Sequence, residues 1–313
     1  MADDLCPLVT PSLLNLLVDT VIPYPATAPL DFATVGRNFL GGDTALPAKV
    51  TDQVWPVLLA LSKLGLRNIP DLTALLPPPT SPSFPRQALG LQLLLDQMPR
   101  RLCRGIHARW TNAYFDVISL QYAQTLLMLP DDEQPHAWAR WKHVATLDYW
   151  VLVRAWSVAP LVHTERVAVQ ERALVFSEET RRVVEEVTAT RDPYRVNREE
   201  ILADVYGFPR VAAEGRPPVD VEGGEASVQG FAYWMCMLMD VHKPIVDRFG
   251  RYPYRNAFFG REDTPEETEW FESTGGFARP GAEVRERLRA DLEKGVWTAL
   301  ERGERKEVLP RDD

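Results

Sequence analysis

The sequence contains little that could bind a metal ion or a cofactor. Its 313 residues include only three cysteines and five histidines. No pair of histidines stands at metal-ligand spacing with a carboxylate or thiolate, and no GxxxxGK[ST], GxSxG or HExxH motif occurs, nor a GxGxxG after a strand. We therefore predict neither a metal site nor a cofactor. Phosphate-binding loops, dinucleotide folds, hydrolase elbows and zincins are all excluded.

The cysteines do not form the pattern of a secreted disulfide framework. Cys6, Cys103 and Cys236 are odd in number and far apart in the chain, whereas secreted frameworks use even sets at close spacing. The first apolar stretch follows acidic residues and is not followed by a small-residue cleavage site, so a signal peptide is not expected. We expect a cytoplasmic location.

Long apolar runs and an excess of positive charge are also missing. The longest unbroken apolar run, 231–239, is far shorter than the roughly 20 residues of a membrane helix. The chain carries 35 Lys and Arg against 44 Asp and Glu, a net charge of −9. Because phosphate binding draws its affinity from clustered cations, nucleic acid is an unfavourable partner. We expect no membrane partner and no nucleic-acid partner.

What the sequence does contain is helical periodicity. Apolar residues make up 45% of the chain, enough for a sizeable core. Their spacing at i, i+3, i+4 and i+7 predicts an all-α fold, with irregular helical hairpins packed around a central pocket. The predicted helices are 52–66, 86–98 (stopped by Pro99), 111–129, 136–158, 161–190, 197–206, 231–249 (with Pro244 inside or kinking it), one beginning at Thr264, and 281–303.

Three parts of the chain differ in composition. Residues 1–50 are rich in proline and predict an N-terminal arm, and residues 51–277 form the helical domain. Within that domain, the Pro/Gly/Glu-rich stretch 207–228 predicts a mobile loop, which could be a lid or an inserted surface loop. Residues 278–313 form a charged C-terminal helix and tail.

Polar residues concentrate at the ends of the apolar helices. Asp96 ends the apolar face of 86–98, and Arg100 lies one turn further along. An unpaired buried charge is costly, so Asp96 must meet a partner. A structural ion pair would satisfy that requirement, and so would a pocket floor that orients a ligand.

Two further clusters allow the same two interpretations. The segment 242–262 holds His242, Asn256 and four arginines, whose guanidinium groups suit carboxylate or carbonyl recognition but could equally close the fold. His163 and Glu165 stand at the start of 161–190, where a histidine beside a carboxylate can be a helix cap or a catalytic base. Trp138, Trp141, Tyr149 and Trp156 form an aromatic stripe that is either core or the wall of an apolar pocket.

The segments LLLDQMPRRLCRG, APLVHTERVAVQE and HKPIVDRFGRYPYRNAFFGREDTPEE resemble the signature segments of the domain-of-unknown-function 924 family. The resemblance spans roughly residues 86–277 and implies an all-helical, tetratricopeptide-like core, without an agreed activity. The aromatic-rich opening segment of the family is reduced to LDFAT at 30–34. A preserved polar interior with a changed entrance suggests a specialised ligand.

Two functions fit these observations. The first is a cofactor-independent enzyme that acts on a hydrophobic small molecule in an aromatic-lined pocket, by a cyclisation such as a [4+2] cycloaddition or by an isomerisation in a biosynthetic pathway. The second is a tetratricopeptide-like module that binds a peptide or protein without catalysis. The helices are irregular in length, which favours the enzyme, as a monomer or homodimer.

For the enzyme we predict one site, in which Asp96, Arg100, His242, Arg251 and Arg255 converge at one end of a pocket. Aromatic residues from 114–156 would form part of its wall. The predicted catalytic residues are Asp96, Arg100, His242 and Arg255. The predicted substrate-binding residues are Gln97, Tyr149, His163, Glu165, Arg251, Asn256, Trp138 and Trp141.

Overall fold

The computed structural model describes residues 5–32, 34–35, 46–215 and 227–302. Every regular element within these ranges is helical and no strand occurs there, so the predicted all-α class is confirmed. The α-helices are α1 (Pro11–Val21), α2 (Ala48–Ser62), α3 (Phe84–Leu102), α4 (Asp116–Leu126), α5 (Trp138–Trp141), α6 (Leu147–Val162), α7 (Val167–Thr188), α8 (Arg198–Ala203), α9 (Gly207–Glu214), α10 (Val228–Asp240), α11 (Lys243–Phe249), α12 (Asn256–Phe259), α13 (Pro265–Ser273) and α14 (Ala282–Glu293). A short helix (Ala108–Trp110) and a π turn (Thr111–Phe115) lead directly into α4.

Helix α3 is the central element of the fold. From Phe84 to Pro99 it is buried on all sides except at Arg86, as its apolar sequence predicts. Leu91, Leu94 and Leu95 belong to one hydrophobic core, formed with α1, α2 and α4. Other leucines of α3 belong to a second core, formed mainly with α6, α7 and α10. Because α3 supplies buried leucines to both cores, it joins them into one body. Each fully buried leucine contributes about 1.5 to 3 kcal/mol to the stability of the fold.

Helix α1, in the predicted N-terminal arm, packs directly against α3. It begins at Pro11 with Thr10 as its cap, since the Thr10 hydroxyl accepts a hydrogen bond from the Leu13 amide. The two backbones meet at Gly90, where an added Cβ would lie 2.3 Å from the Leu14 carbonyl oxygen. This approach requires a glycine on α3.

The predicted helices 136–158 and 161–190 are each interrupted. The first is divided between α5 and α6, because the Thr146 hydroxyl caps the start of α6 by accepting from the Tyr149 amide. The second is divided between the end of α6 and α7, with residues 163–166 between them. The apolar spacing continues across both turns. A prediction based on periodicity alone therefore treats each pair of segments as one helix.

Two prolines affect the helices differently from the prediction. Pro99 does not stop its helix, and Pro244 marks a break between two helices. Helix α3 continues past Pro99 to Leu102, since a proline in the last turn removes few backbone hydrogen bonds. The predicted helix 231–249 is instead two helices, and Pro244 stands in the first turn of α11. His242 lies at the junction between them.

The predicted loop 207–228 is wrong over its first part. Residues Gly207–Glu214 form α9, with Pro209 near its start and Gly215 at its end in a left-handed conformation (φ 66°). Proline in a first turn and glycine after a last turn are helix boundaries, although their composition resembles that of a loop. Residues 216–226 of the predicted loop, and 303–313 of the predicted tail, lie outside the described residues.

The start of α13 is as predicted. The Thr264 hydroxyl accepts from the Glu267 amide, and the Glu267 carboxylate accepts from the Thr264 amide, which completes a capping box.

The described helices include none with the length and apolar character required to cross a bilayer.

We expect Gly90→Ala to destabilise the protein by about 3 kcal/mol or more, because the new methyl group meets backbone, which cannot rotate away. Gly65→Ala is the matched control, since its Cβ would lie 3.6 Å from the Asn68 side chain, an ordinary contact. Urea denaturation of both variants measures the difference. Equal midpoints would contradict the close approach of α1 and α3.

Candidate functional site

The last turns of α3 carry a buried carboxylate. The Asp96 side chain is 1% exposed, and the Gln97 amide donates to its Oδ2 at 2.5 Å. Arg100, one turn along, has its Nη2 at 3.7 Å from Asp96 Oδ1. The side chain of Arg100 is 26% exposed, so this end of α3 lies close to the protein surface.

His163 approaches the same carboxylate oxygen from the turn between α6 and α7. Its Nδ1 lies 2.9 Å from Asp96 Oδ1, and its side chain is 21% exposed. An ionised carboxylate can only accept, so Nδ1 carries the proton of this hydrogen bond. In the neutral imidazole the other nitrogen, Nε2, is then the basic one. Within the described part of the chain, Nε2 makes no hydrogen bond.

Asp116, in the first turn of α4, joins two of the predicted catalytic arginines. Arg100 donates to its Oδ1 at 2.5 Å, and Arg255 donates to its Oδ2 at 2.6 Å. The side chains of Asp116 and Arg255 are each 5% exposed. The resulting chain, from Asp96 through Arg100 and Asp116 to Arg255, alternates in charge. We call it, together with His163, the Asp96 cluster.

The surroundings of Asp96 favour its ionised form. Burial by itself would raise the pKa of Asp96, but the charges of His163 and Arg100 outweigh it and hold that pKa well below its usual range. Burial would likewise lower the pKa of Arg100, and Asp116 and Asp96 together raise it. The pKa values of Asp96 and Arg100 thus shift in the directions that favour the ion pair between them.

His242 lies beside the cluster but is not hydrogen-bonded to it. Its Nδ1 donates to the Leu238 carbonyl oxygen at 2.8 Å, and its ring stacks on Phe208 with centroids 3.9 Å apart. Burial, followed by the charges of His163 and Arg100, lowers the pKa of His242 to about 3. The imidazole is consequently neutral at physiological pH and cannot serve there as a proton donor of ordinary strength.

Arg251 and Asn256 form a separate group around Glu267. Arg251 donates to both Glu267 oxygens, at 2.7 and 2.8 Å, and Asn256 donates to one of them at 3.1 Å. Glu165 accepts from the Tyr252 amide and from Arg261. Arg251 is thus directed away from the Asp96 cluster, and the predicted convergence applies to Asp96, Arg100 and Arg255.

The aromatic residues predicted to line the site lie elsewhere. Tyr149 accepts a hydrogen bond from Arg86, which precedes Asp96 by ten residues, or about 15 Å along the axis of α3. Trp141 packs against Tyr149 in the core, with ring centroids 5.8 Å apart. Trp138 lines a groove at α6 and α7. The surroundings of the Asp96 cluster are therefore more polar than predicted.

Asp96, Asp116 and His163 also have the composition of a metal site, since one ligand atom from each lies within 4.8 Å of the others. Three of the four carboxylate oxygens already accept from Gln97, Arg100 or Arg255 at 2.5 to 2.6 Å. A cation would have to displace or repel two guanidinium groups at close range. The arrangement suits an organic ligand better than a divalent ion.

Three residues in or beside the site were missed by sequence reasoning: Asp116, Ser119 and Tyr254. Asp116 and Ser119 are polar positions one turn apart on α4, and both face α3, where Ser119 accepts from Gln92. That spacing was a detectable signal. Tyr254 is partly buried near Arg100 and Arg255, and desolvation raises the pKa of its phenol. The only signal for Tyr254 was its place in the arginine-rich turn.

Comparison with known proteins returns one family. A family model described as "Bacterial protein of unknown function (DUF924)" matches residues 79–275, more than half of the chain. The matched segment includes every residue of the Asp96 cluster. No curated protein and no solved structure gives a significant match.

We expect the stability of the protein to fall as the pH drops from 6.5 towards 3. Over this range His242 binds a proton in the unfolded state but stays neutral in the folded state. Its folded pKa is about 3 and its ordinary value about 6.5. The loss reaches up to about 1.4 kcal/mol per pH unit. Urea denaturation between pH 7 and 5 should give a flatter dependence for His242→Gln, and the exposed His143→Gln should keep the wild-type slope. Parallel curves for all three proteins would refute the assignment.

Arg251 and Arg255 should differ in their contribution to stability. Arg251→Ala removes the charged partner of Glu267, which is 1% exposed, and should cost about 3 to 5 kcal/mol. Arg255→Ala leaves Asp116 paired with Arg100 and should cost less than about 2 kcal/mol. Arg248→Ala, which removes an exposed pair, should stay within about 0.5 kcal/mol. Thermal and urea unfolding would contradict this ranking if Arg255 proved the costlier of the two.

Proposed function

Because the chain belongs to the DUF924 family, whose description assigns no activity, we propose its function from the geometry of the Asp96 cluster. We propose that it is a cofactor-independent enzyme that moves a proton on an unsaturated carbonyl compound, with His163 as the general base. The reaction class is an isomerisation through an enolate.

The observation that supports this proposal is the 2.9 Å contact between His163 Nδ1 and Asp96 Oδ1. A buried carboxylate that accepts the Nδ1 proton fixes both the tautomer and the orientation of the imidazole. It also stabilises the imidazolium that forms when Nε2 takes a proton. Gln97 holds the other oxygen of Asp96, so the carboxylate cannot turn away.

Arg100 supplies the second element of such a reaction. It contacts the same oxygen of Asp96 as His163 does, and its side chain is partly exposed. A guanidinium group beside the base can stabilise the negative charge that develops on a carbonyl oxygen as the neighbouring C–H bond breaks. The base and the oxyanion partner are therefore held together by one carboxylate.

The proposed reaction balances without a co-reactant. His163 Nε2 takes a proton from the carbon next to the carbonyl group, and the electron pair of that C–H bond forms the enolate next to Arg100. The imidazolium then returns a proton to a different carbon of the conjugated system. Substrate and product have the same mass.

The geometry favours proton transfer over the other functions considered. A [4+2] cycloaddition moves no proton, so it would leave the His163–Asp96 pair without a role. A peptide-binding module would have no use for an imidazole oriented by a buried acid. We further propose that the enzyme works in the cytoplasm, consistent with its three free cysteines.

The test asks whether the protein produces an isomer that has taken up deuterium from the solvent. The protein is incubated in D₂O with a methanol extract of metabolites from its source organism, and the extract is followed by liquid chromatography and mass spectrometry. We expect an isomer that carries one deuterium, because His163 is exposed enough to exchange its proton with solvent. His163→Gln should slow its formation by about 10² to 10⁴-fold.

His143→Gln is the matched control, because His143 is an exposed histidine outside the cluster. It should keep the wild-type rate. A new isomer without deuterium would indicate a cycloaddition instead, and no conversion at all would favour the binding module. Either result would overturn the proposal.

A further inference from the structure

A groove on the opposite part of the fold has features of a second ligand site. It has a volume of about 480 Å³ and lies between α5, α6 and α7. Its aromatic side chains are Trp138, Trp150 and Phe176, and Arg154 lies among them. None of these residues belongs to the Asp96 cluster.

Arg154 is held rigidly in this groove. Its Nε donates to Thr180 Oγ1 at 2.8 Å, and its Nη2 donates to the Phe176 carbonyl oxygen at 2.6 Å. The guanidinium carbon lies 3.3 Å from the centroid of the Phe176 ring. These contacts orient the guanidinium group but provide no negative charge. Nη1 makes no hydrogen bond to any described residue.

The charge of Arg154 is poorly compensated in comparison with the other buried arginines. Arg181 and Arg255 each contact a carboxylate at 2.6 Å that is itself no more than 5% exposed. The acidic partner of Arg154 is Glu179, at 3.3 Å through one oxygen and with 56% of its side chain exposed. Burial lowers the pKa of Arg154 to about 10, and Glu179 only partly offsets this effect.

A second buried polar group, the imidazole of His136, lies at the same groove. His136 is 4% exposed, and its Nε2 has no hydrogen-bond partner among the described residues. It lines both the groove and a small adjoining cavity of about 20 Å³. The His136 ring packs against Phe176 at a tilt of 52°, with centroids 4.8 Å apart, so His136 and Arg154 both contact this aromatic ring. Buried polar atoms without partners are uncommon in folded proteins.

We propose that this groove binds a small aromatic carboxylate, whose carboxyl group displaces Glu179 from Arg154 and whose ring packs against Trp138, the partly exposed aromatic side chain of the groove. The guanidinium fork suits a carboxylate in two-point contact. The indole ring of Trp138 supplies the flat apolar surface on which such a ring packs. The site is separate from the proposed proton-transfer centre, so the two proposals can fail independently.

The probe for the test is 4-fluorobenzoate, observed by ¹⁹F NMR during titration with the full-length protein. A ligand of this size should bind with a dissociation constant of about 1 mM or tighter if it makes the expected contacts. The uncharged analogue 4-fluorobenzamide should bind at least about 10-fold more weakly, because it lacks the charge that Arg154 requires. His163→Gln should bind the probe like the wild type.

Two variants distinguish a ligand site from a structural arginine. Arg154→Met keeps the apolar stem on Phe176 and removes the charge, so probe binding should weaken by about 10 to 100-fold. Glu179→Gln removes the competing carboxylate and should strengthen binding by about 3-fold or more, the gain that an exposed ion pair of up to about 1 kcal/mol implies. The matched control is Glu171→Gln, an exposed carboxylate on α7 that does not line the groove.

If Arg154→Met does not fold, the comparison of Glu179→Gln with Glu171→Gln still decides the question, since both positions are exposed. Binding that increases only in Glu179→Gln supports the site. The proposal is overturned if neither the wild type nor Glu179→Gln binds the probe at about 10 mM. It is equally overturned if the benzamide binds as well as the benzoate, or if the two glutamine variants bind alike.

Discussion

The carboxylate of Asp96 is the constraint on which the site depends. It stands at the end of an apolar helix that is buried on nearly all sides, and an isolated ion there would cost several kcal/mol. Its compensation brings together residues from three parts of the chain: Gln97 and Arg100 on α3 itself, His163 from the turn after α6, and, through Arg100, Asp116 on α4. The ion pairs that stabilise this end of the core also orient the groups that would carry out proton transfer.

The charged residues at this end of the core form two groups with different partners. Arg251, Asn256 and Glu267 form a clamp that is directed away from the cluster and shares its residues with the capping box of α13. The Asp96 cluster differs in the imidazole of His163, whose Nδ1 is hydrogen-bonded to the buried carboxylate and whose side chain is partly exposed.

The aromatic stripe shows how one sequence pattern can serve two environments. Trp141 and Tyr149 pack in the core, with ring centroids 5.8 Å apart, whereas Trp138 lines the groove that holds Arg154. Both the core and the pocket interpretations of the stripe are therefore represented, but in different residues. The groove lies apart from the Asp96 cluster, so the single pocket expected from the sequence corresponds to two separate regions.

The sequence by itself determined the helical class, the burial of α3, the start of α13 at Thr264 and the need for a partner at Asp96, because each follows from local spacing or from the cost of a buried charge. It did not determine the turns at 142–146 and 163–166, because apolar periodicity continues across them. Only the tertiary structure could decide that His163 meets Asp96, that Asp116 joins Arg100 to Arg255, and that Arg251 pairs with Glu267 instead. These contacts join residues from 16 to 139 positions apart, and which of several similar arginines reaches a given carboxylate depends on how the helices pack.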